Sequence, residues 1–237
     1  MAGIAGFDFM NKNKKNGIVK FVTHSKRVLS IATAYGWLPG ARYTNLRDVR
    51  NFNRIGFLDI DWKNYNFKKH LEVTKDRRPF MTVAKDIEKR SELNKTLEQA
   101  WELSLYSKHV LIVPKDPTLA NELDYIIPEQ FILGYSVVTK YSGTSIPPSA
   151  FKRPVHLLGG HPTIQRRLAN IMPVFSLDCN RFTLDAVYGD YFDGETFRPH
   201  PIGGYEQCIN DSIENINALW DSYDFRELQK NGQKTSK

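Results

Sequence analysis

The chain has 237 residues, 41% of them hydrophobic and 12% aromatic, enough to bury one large core and of a length that α/β barrels use as one domain. No stretch approaches the roughly 18 to 20 apolar residues of a membrane span, and Met1 to Gly17 lacks the apolar centre of a signal peptide, so the protein is expected to stay in the cytoplasm of the cell that makes it. A formal charge of +7 favours a polyanionic partner. The only cysteines, Cys179 and Cys208, form no CxxC pair, and no Cys/His cluster has zinc spacing, so neither a disulfide framework nor a metal site is expected.

Residues 1–17 are rich in Gly, Asn and Lys and residues 229–237 are polar and charged, which predicts flexible ends around one domain over 18–228. Within it, short apolar runs rich in β-branched and aromatic residues recur. They lie at Ile18–Val22, Ile55–Ile60, Phe80–Ala84, His109–Val113, Phe131–Val138, Val155–Leu158 and Val174–Leu177, and read as seven buried strands. Helical periods fall between several of them, at Lys26–Tyr35, Phe67–Lys75, Leu93–Ser107 and Thr163–Ile171. In the third, Leu93, Leu97, Ala100, Trp101 and Leu105 make an apolar stripe. Strands alternating with helices imply parallel pairing through right-handed crossovers. No GxGxxG follows the first strand, which argues against a doubly wound dinucleotide fold and for an α/β fold of the TIM (β/α)8 barrel type. After Leu177 the pattern changes to a hairpin over Tyr188–Phe197, turning at Asp193-Gly194, and a closing helix from about Gln207 to Tyr223.

In a parallel barrel the working residues project from the C-terminal ends of the strands. There the sequence delivers Asp59 and Asp61 after the second apolar run, Asp86 after the third and Asp178 after the last. One acid at such a place is an ordinary helix cap; three strands supplying acids to one rim suggest chemistry. Gly159 and Gly160 end another strand, where a missing Cβ lets backbone amides approach a flat ligand. Ser136 ends the run before it, and His161 adjoins the glycine pair. No HxH or HExxH spacing occurs, His156 reads as a core residue, and Cys179, without a base at recognisable spacing, reads as packing.

The order of these motifs, from the acid-ended strand through Val-Ala-Lys-Asp, Leu-Gly-Tyr-Ser and His-Leu-Leu-Gly-Gly to Ser-Leu-Asp-Cys-Asn, resembles the tRNA-guanine transglycosylase superfamily over about residues 18–185. It looks most like the short branch, found in viruses and in gene clusters, that places 7-deazaguanines in DNA. The resemblance implies a TIM barrel and exchange of guanine for a 7-deazaguanine such as preQ0, without cofactor. By motif, Asp178 matches the nucleophile that holds the sugar covalently. Asp59 or Asp61 matches the acid that manages protons on the leaving and entering bases, and alternation along a strand leaves the two unseparated. Asp86 matches the acid that reads the guanine edge, and Gly159 and Gly160 the glycines that contact its exocyclic oxygen. Ser136 and His161 are further ligand contacts.

The chain departs from the tRNA enzymes in lacking their cysteine-rich zinc site and room for their long insertions, which favours DNA, single-stranded or with a flipped guanine, as the partner. Lys140, Lys152, Arg153, Arg166, Arg167 and Arg181 are the candidate phosphate contacts. A homodimer is compatible with the resemblance. An accessory nucleic-acid-binding subunit without turnover, or a nucleoside or glycoside hydrolase, are the other readings of the same residues.

Overall fold

A computed structural model describes residues 17–139 and 143–224. The expected flexible ends therefore lie, Gly17 apart, outside the described residues. In chain order the elements are β1 (Val19–Val22), α1 (Lys26–Ala34), β2 (Leu38–Arg42), β3 (Phe57–Asp59), α2 (Phe67–Arg77), β4 (Met81–Val83), α3 (Leu93–Ser104), β5 (His109–Ile112), α4 (Leu123–Ile126), β6 (Ile132–Ser136), β7 (Val155–Leu158), α5 (Pro162–Leu168), β8 (Val174–Asp178), α6 (Arg181–Asp185), β9 (Asp190–Phe192), β10 (Phe197–Pro199) and α7 (Tyr205–Asp221). Strands β1 to β8 pair in sequence order, all parallel, and β8 pairs back onto β1 to close an eight-stranded barrel. The α/β barrel, the C-terminal hairpin (β9 and β10) and the closing helix α7 are all present.

The strands read as nearly continuous apolar runs because both of their faces are covered, one by the barrel interior and one by helices. Phe21, Val22, Leu58, Met81, Leu111, Leu133, Val155 and Leu177 are all inaccessible to solvent. The helical ring is irregular. A single 3-10 turn at Arg47–Val49 is the only helical element between β2 and β3, and among the described residues another at Pro148–Ala150 is all that joins β6 to β7. On α7 the buried side chains Cys208, Ile209, Ser212, Ile213, Ile216 and Trp220 follow the helical period and form one packed face. Ser212 Oγ accepts from the Phe192 amide at 2.9 Å and Asn215 Nδ2 donates to the Phe192 carbonyl at 2.8 Å, which fixes the hairpin on α7.

Two expectations are corrected. The buried face of α3 carries Leu93, Thr96, Ala100 and Leu103, with the expected Leu97 packed partly buried beside them; the helix ends at Ser104, and Leu105 is left 71% exposed and Trp101 half-exposed. Strand β2 was not among the expected seven, because Pro39-Gly40 reads as a turn. The structure shows why glycine sits there: a Cβ on Gly40 would run into Thr23 Oγ1 and stand 3.2 Å from the Val22 carbonyl oxygen, so β1 and β2 could not approach as they do. Pro39, lacking an N–H, contributes its carbonyl, which accepts from the Gly56 amide at 2.7 Å. Gly40→Ala is therefore expected to cost about 1–3 kcal/mol by overpacking, read as a lower urea midpoint at unchanged slope. A midpoint equal to wild type would show that this contact relaxes freely.

Candidate active site

Side-chain alternation sets which residues face the barrel interior. Phe57 on β3 lies against Phe21 and His156, ring centroids 5.6 Å and 5.2 Å away, and so points inward; Asp59, two residues on, shares its face at the C-terminal rim. On β8, Ser176 meets His156 Nδ1 at 2.8 Å inside the barrel, and Asp178 is again two residues on. The Asp178 carboxylate is held at the rim: Oδ1 accepts from the Gly159 amide at 3.0 Å and lies 3.5 Å from His156 Nε2. From α5 the wholly buried Gln165 donates its amide to the carbonyls of Gly159, at 2.7 Å, and Asp178, at 2.8 Å, and ties the ends of β7 and β8 together.

Asp59 and Asp61, which alternation alone cannot separate, part company because β3 stops at Asp59. Asp61 Oδ1 accepts from the amides of Lys63 and Asn64 at 3.2 Å and 3.3 Å, which makes it the cap of a surface turn. Asp59 instead stays at the rim, its Oδ1 accepting from the Ile60 amide at 2.8 Å and its Oδ2 lying 4.0 Å from Arg42 Nε at the end of β2. Burial pushes the Asp59 carboxyl up to about 7, with the negative charges of Asp178 and, more weakly, Asp86 adding to the effect. The Ile60 amide and Arg42 oppose it. Near neutral pH Asp59 thus exchanges a proton readily.

Asp86, beyond the end of β4, pairs with Lys115, beyond the end of β5, at 2.7 Å. Burial raises the Asp86 carboxyl and this ion pair counteracts the rise. Lys115 also reaches Glu88 at 3.1 Å. Four of the expected residues, Asp59, Asp86, Gly159 and Asp178, are thereby brought to one rim, joined by hydrogen bonding or by charge interaction.

The remaining expectations divide. Gly159 and Gly160 both adopt positive φ, 61° and 94°, which favours glycine, and a Cβ on Gly160 would also strike Val137 at 2.5 Å. The Gly159 amide, however, is spent on Asp178 and is not free for a ligand. Ser136 ends β6 half-buried at the rim. His161 is the N-cap of α5: its Nδ1 accepts from the Thr163 amide at 3.3 Å and meets Thr163 Oγ1 at 2.8 Å, while its ring packs edge-on against Phe192 and Phe197 of the hairpin. Within the fold His161 thus has a capping and packing role.

Among the cations, Lys152 and Arg153 precede β7 and sit at the opposite, N-terminal end of the barrel. The Arg153 guanidinium is largely buried and donates to the carbonyls of Ile127, at 2.8 Å, and Pro128, at 3.0 Å, so it is a structural tie rather than a phosphate contact. Arg166 is likewise occupied, donating to the Leu219 carbonyl at 3.1 Å and lying over the rings of Trp220 and Tyr223. Arg167 is exposed on α5, and Arg181, at the start of α6, pairs with Asp185 and covers the Phe197 ring. Lys140 lies outside the described residues. Cys179 and Cys208 are buried free thiols, and burial pushes the Cys179 thiol up to about 12, away from nucleophilic use.

Sequence reasoning missed Arg42 and Lys115 as rim residues. Arg42 was hidden with its unrecognised strand, but Lys115 follows His109–Val113 at the distance where acids were sought on the other strands. Among the described residues no group of three or more His, Cys, Asp and Glu side chains could hold a metal ion. No helix among them is long and apolar enough to cross a membrane.

The profile of a family of unknown function, DUF6610, matches residues 32–221, from within α1 to the end of α7. The chain belongs to the DUF6610 family. No curated protein matches it. The family's matched region contains the whole rim set: Asp59, Asp86, Lys115, His156, Gly159 and Asp178.

The Asp59 environment has a thermodynamic signature. An unfolded aspartate loses its proton near 3.8 and the folded one near 7, so between these values the folded state binds more protons and its stability falls as pH rises, levelling off above 7. Asp59→Asn removes that loss. The variant is expected to gain stability over wild type progressively between about pH 4 and about pH 7, measured by urea unfolding across that range. A stability difference independent of pH would show that Asp59 titrates as an ordinary carboxyl.

Proposed function

We propose that this DUF6610 protein is a glycosyl-transfer enzyme that exchanges guanine in DNA for a 7-deazaguanine base through an aspartyl-sugar intermediate. The observation that carries this reading is the unlike pair of rim carboxylates: Asp178, anchored by an amide and facing a buried imidazole, and Asp59, whose proton is held to about 7 partly by the charge on Asp178. A carboxylate held in place by fixed donors beside a carboxyl that keeps its proton to near neutral pH suits a nucleophile and an acid/base partner. The resemblance of the Leu-Leu-Gly-Gly and Leu-Asp-Cys runs to the transglycosylases supports the same assignment and supplies guanine as the base.

In the first half-reaction an Asp178 oxygen attacks C1′ of a flipped guanine nucleotide. The C1′–N9 bond breaks, an ester bond forms, and Asp59 in its protonated form gives the departing base its proton. In the second, N9 of the entering 7-deazaguanine attacks C1′, its proton passes to Asp59 and Asp178 is released. One glycosidic bond is broken and one made, with no redox change. The Asp86–Lys115 pair offers a complement to the Watson–Crick edge of guanine: the carboxylate accepts from N1–H and N2–H, and the ammonium donates to O6. With the Gly159 amide engaged, Lys115 is the better candidate for that oxygen. Arg42, at the end of β2, and Arg181, at the start of α6, are the candidates nearest the rim for contact with phosphate.

The test is incubation of the protein with radiolabelled preQ0 and guanine-containing DNA, single- or double-stranded, or tRNA. Label is expected to enter DNA. Asp178→Asn should abolish incorporation and leave no sugar adduct by mass spectrometry, while Asp59→Asn should slow it by about 10²–10⁴-fold. Guanine released without uptake of label would indicate a hydrolase, and absence of both from every polymer would overturn the proposal.

A further inference from the structure

One buried polar atom has no use in the scheme above. His156 on β7 is wholly inaccessible to solvent, and its Nε2 makes no hydrogen bond of ordinary geometry with any described residue. A buried ring nitrogen without a partner is costly and uncommon. This one lies directly beneath the rim, 3.5 Å from Asp178 Oδ1, with its ring enclosed by Phe21 and Phe57 at centroid distances of 5.7 Å and 5.2 Å. Its other nitrogen, Nδ1, is 2.8 Å from Ser176 Oγ, on the same strand and face as Asp178. Oδ1 of Asp178 receives the Gly159 amide as well, whereas Oδ2 accepts no hydrogen bond from any described residue.

We propose that His156 is a positioning residue for the Asp178 carboxylate: its Nε2–H, directed by Ser176 at Nδ1, holds Oδ1 from inside the barrel, and Oδ2 is left as the oxygen that bonds C1′ of the sugar. This rests on the function proposed above. The tautomer follows from electrostatics. A lone pair on Nε2 would face an acceptor-only carboxylate oxygen, which is repulsive, so the proton belongs on Nε2 and the Ser176 hydroxyl donates to Nδ1. At 3.5 Å the contact is long for a hydrogen bond. Contacts of this kind shorten when substrate completes the site. The grip confers selectivity between the two oxygens, since only the one turned away from the amide and the imidazole keeps its lone pairs free for attack. The charge on Asp178 reaches the carboxyl of Asp59, three strands round the barrel, and the buried thiol of the adjacent Cys179.

The test has two independent arms. Nitrogen-15 NMR of the wild-type histidine rings needs no substrate. It should show His156 protonated on Nε2, with that resonance displaced in Asp178→Asn; a proton on Nδ1, or no displacement, overturns the proposal. In exchange assays His156→Leu, which keeps an apolar ring-sized plug, should lose about 10²-fold in kcat with KM for DNA held within about twofold, because a misaimed nucleophile affects the chemical step and not binding. His156→Gln, whose amide nitrogen can reach the place of Nε2, should restore much of the rate. Unchanged kcat in His156→Leu, or equal loss in the two variants, overturns it. Wild-type protein that exchanges no base would remove the function proposed above, while the NMR arm would still decide whether His156 grips Asp178.

Discussion

Closure of the barrel is the constraint on which the site depends. Because β8 pairs back onto β1, with Phe21 opposite Asp178, the strand ends form a ring of fixed circumference, and every second residue on each strand must point into it. The interior is too small to stay empty, so Phe21, Phe57, His156 and Ser176 fill it, and the residues two positions on from Phe57 and Ser176, Asp59 and Asp178, turn up towards the rim. Carboxylates from β3 and β8, more than a hundred residues apart in the chain, come close enough for one charge to hold the other's proton. No loop needs to be trained for this; the pleat does it.

The charge arrangement follows from the same closure. A ring that excludes water from its centre leaves rim acids partly desolvated, and each then depends on its local partners. Asp86 has Lys115 to counter its burial, whereas Asp59 has a single amide and a distant Arg42 and bears the added charge of Asp178, so burial drives it to about 7. Surroundings, not residue type, separate these two aspartates that look alike in the sequence.

Much of this arrangement was readable from the residues. Runs such as His109–Val113 and Val174–Leu177 are buried on both faces and therefore stand out as continuous apolar segments. The rule that function gathers at strand C-termini led to the acids. What was not readable shared one cause: sequence distance says little about which end of a barrel a residue occupies. Lys152 and Arg153 lie a few positions from Gly159, yet the length of β7 puts them on the opposite end. Asp61 lies two positions from Asp59, yet the strand stops between them, and alternation stops with it. Strand β2 was masked because Pro39-Gly40 has the chemistry of a turn, and only the approach of β1 reveals why a strand needs that pair. His156 read as a core histidine, and so it is; what the sequence could not show was an imidazole edge turned to the underside of Asp178.

The Gln165 amide carries one more consequence. A single NH2 group clasps the backbone at both Gly159 and Asp178, and the amide's oxygen is buried without a hydrogen-bond partner among the described residues. Helix α5 is thereby fastened to the two segments that meet at the carboxylate, so any drift of that helix drags amide donor and acceptor acid along as a pair. One side chain thus sets the spacing of the β7 and β8 ends, and with it the register of donor against acceptor.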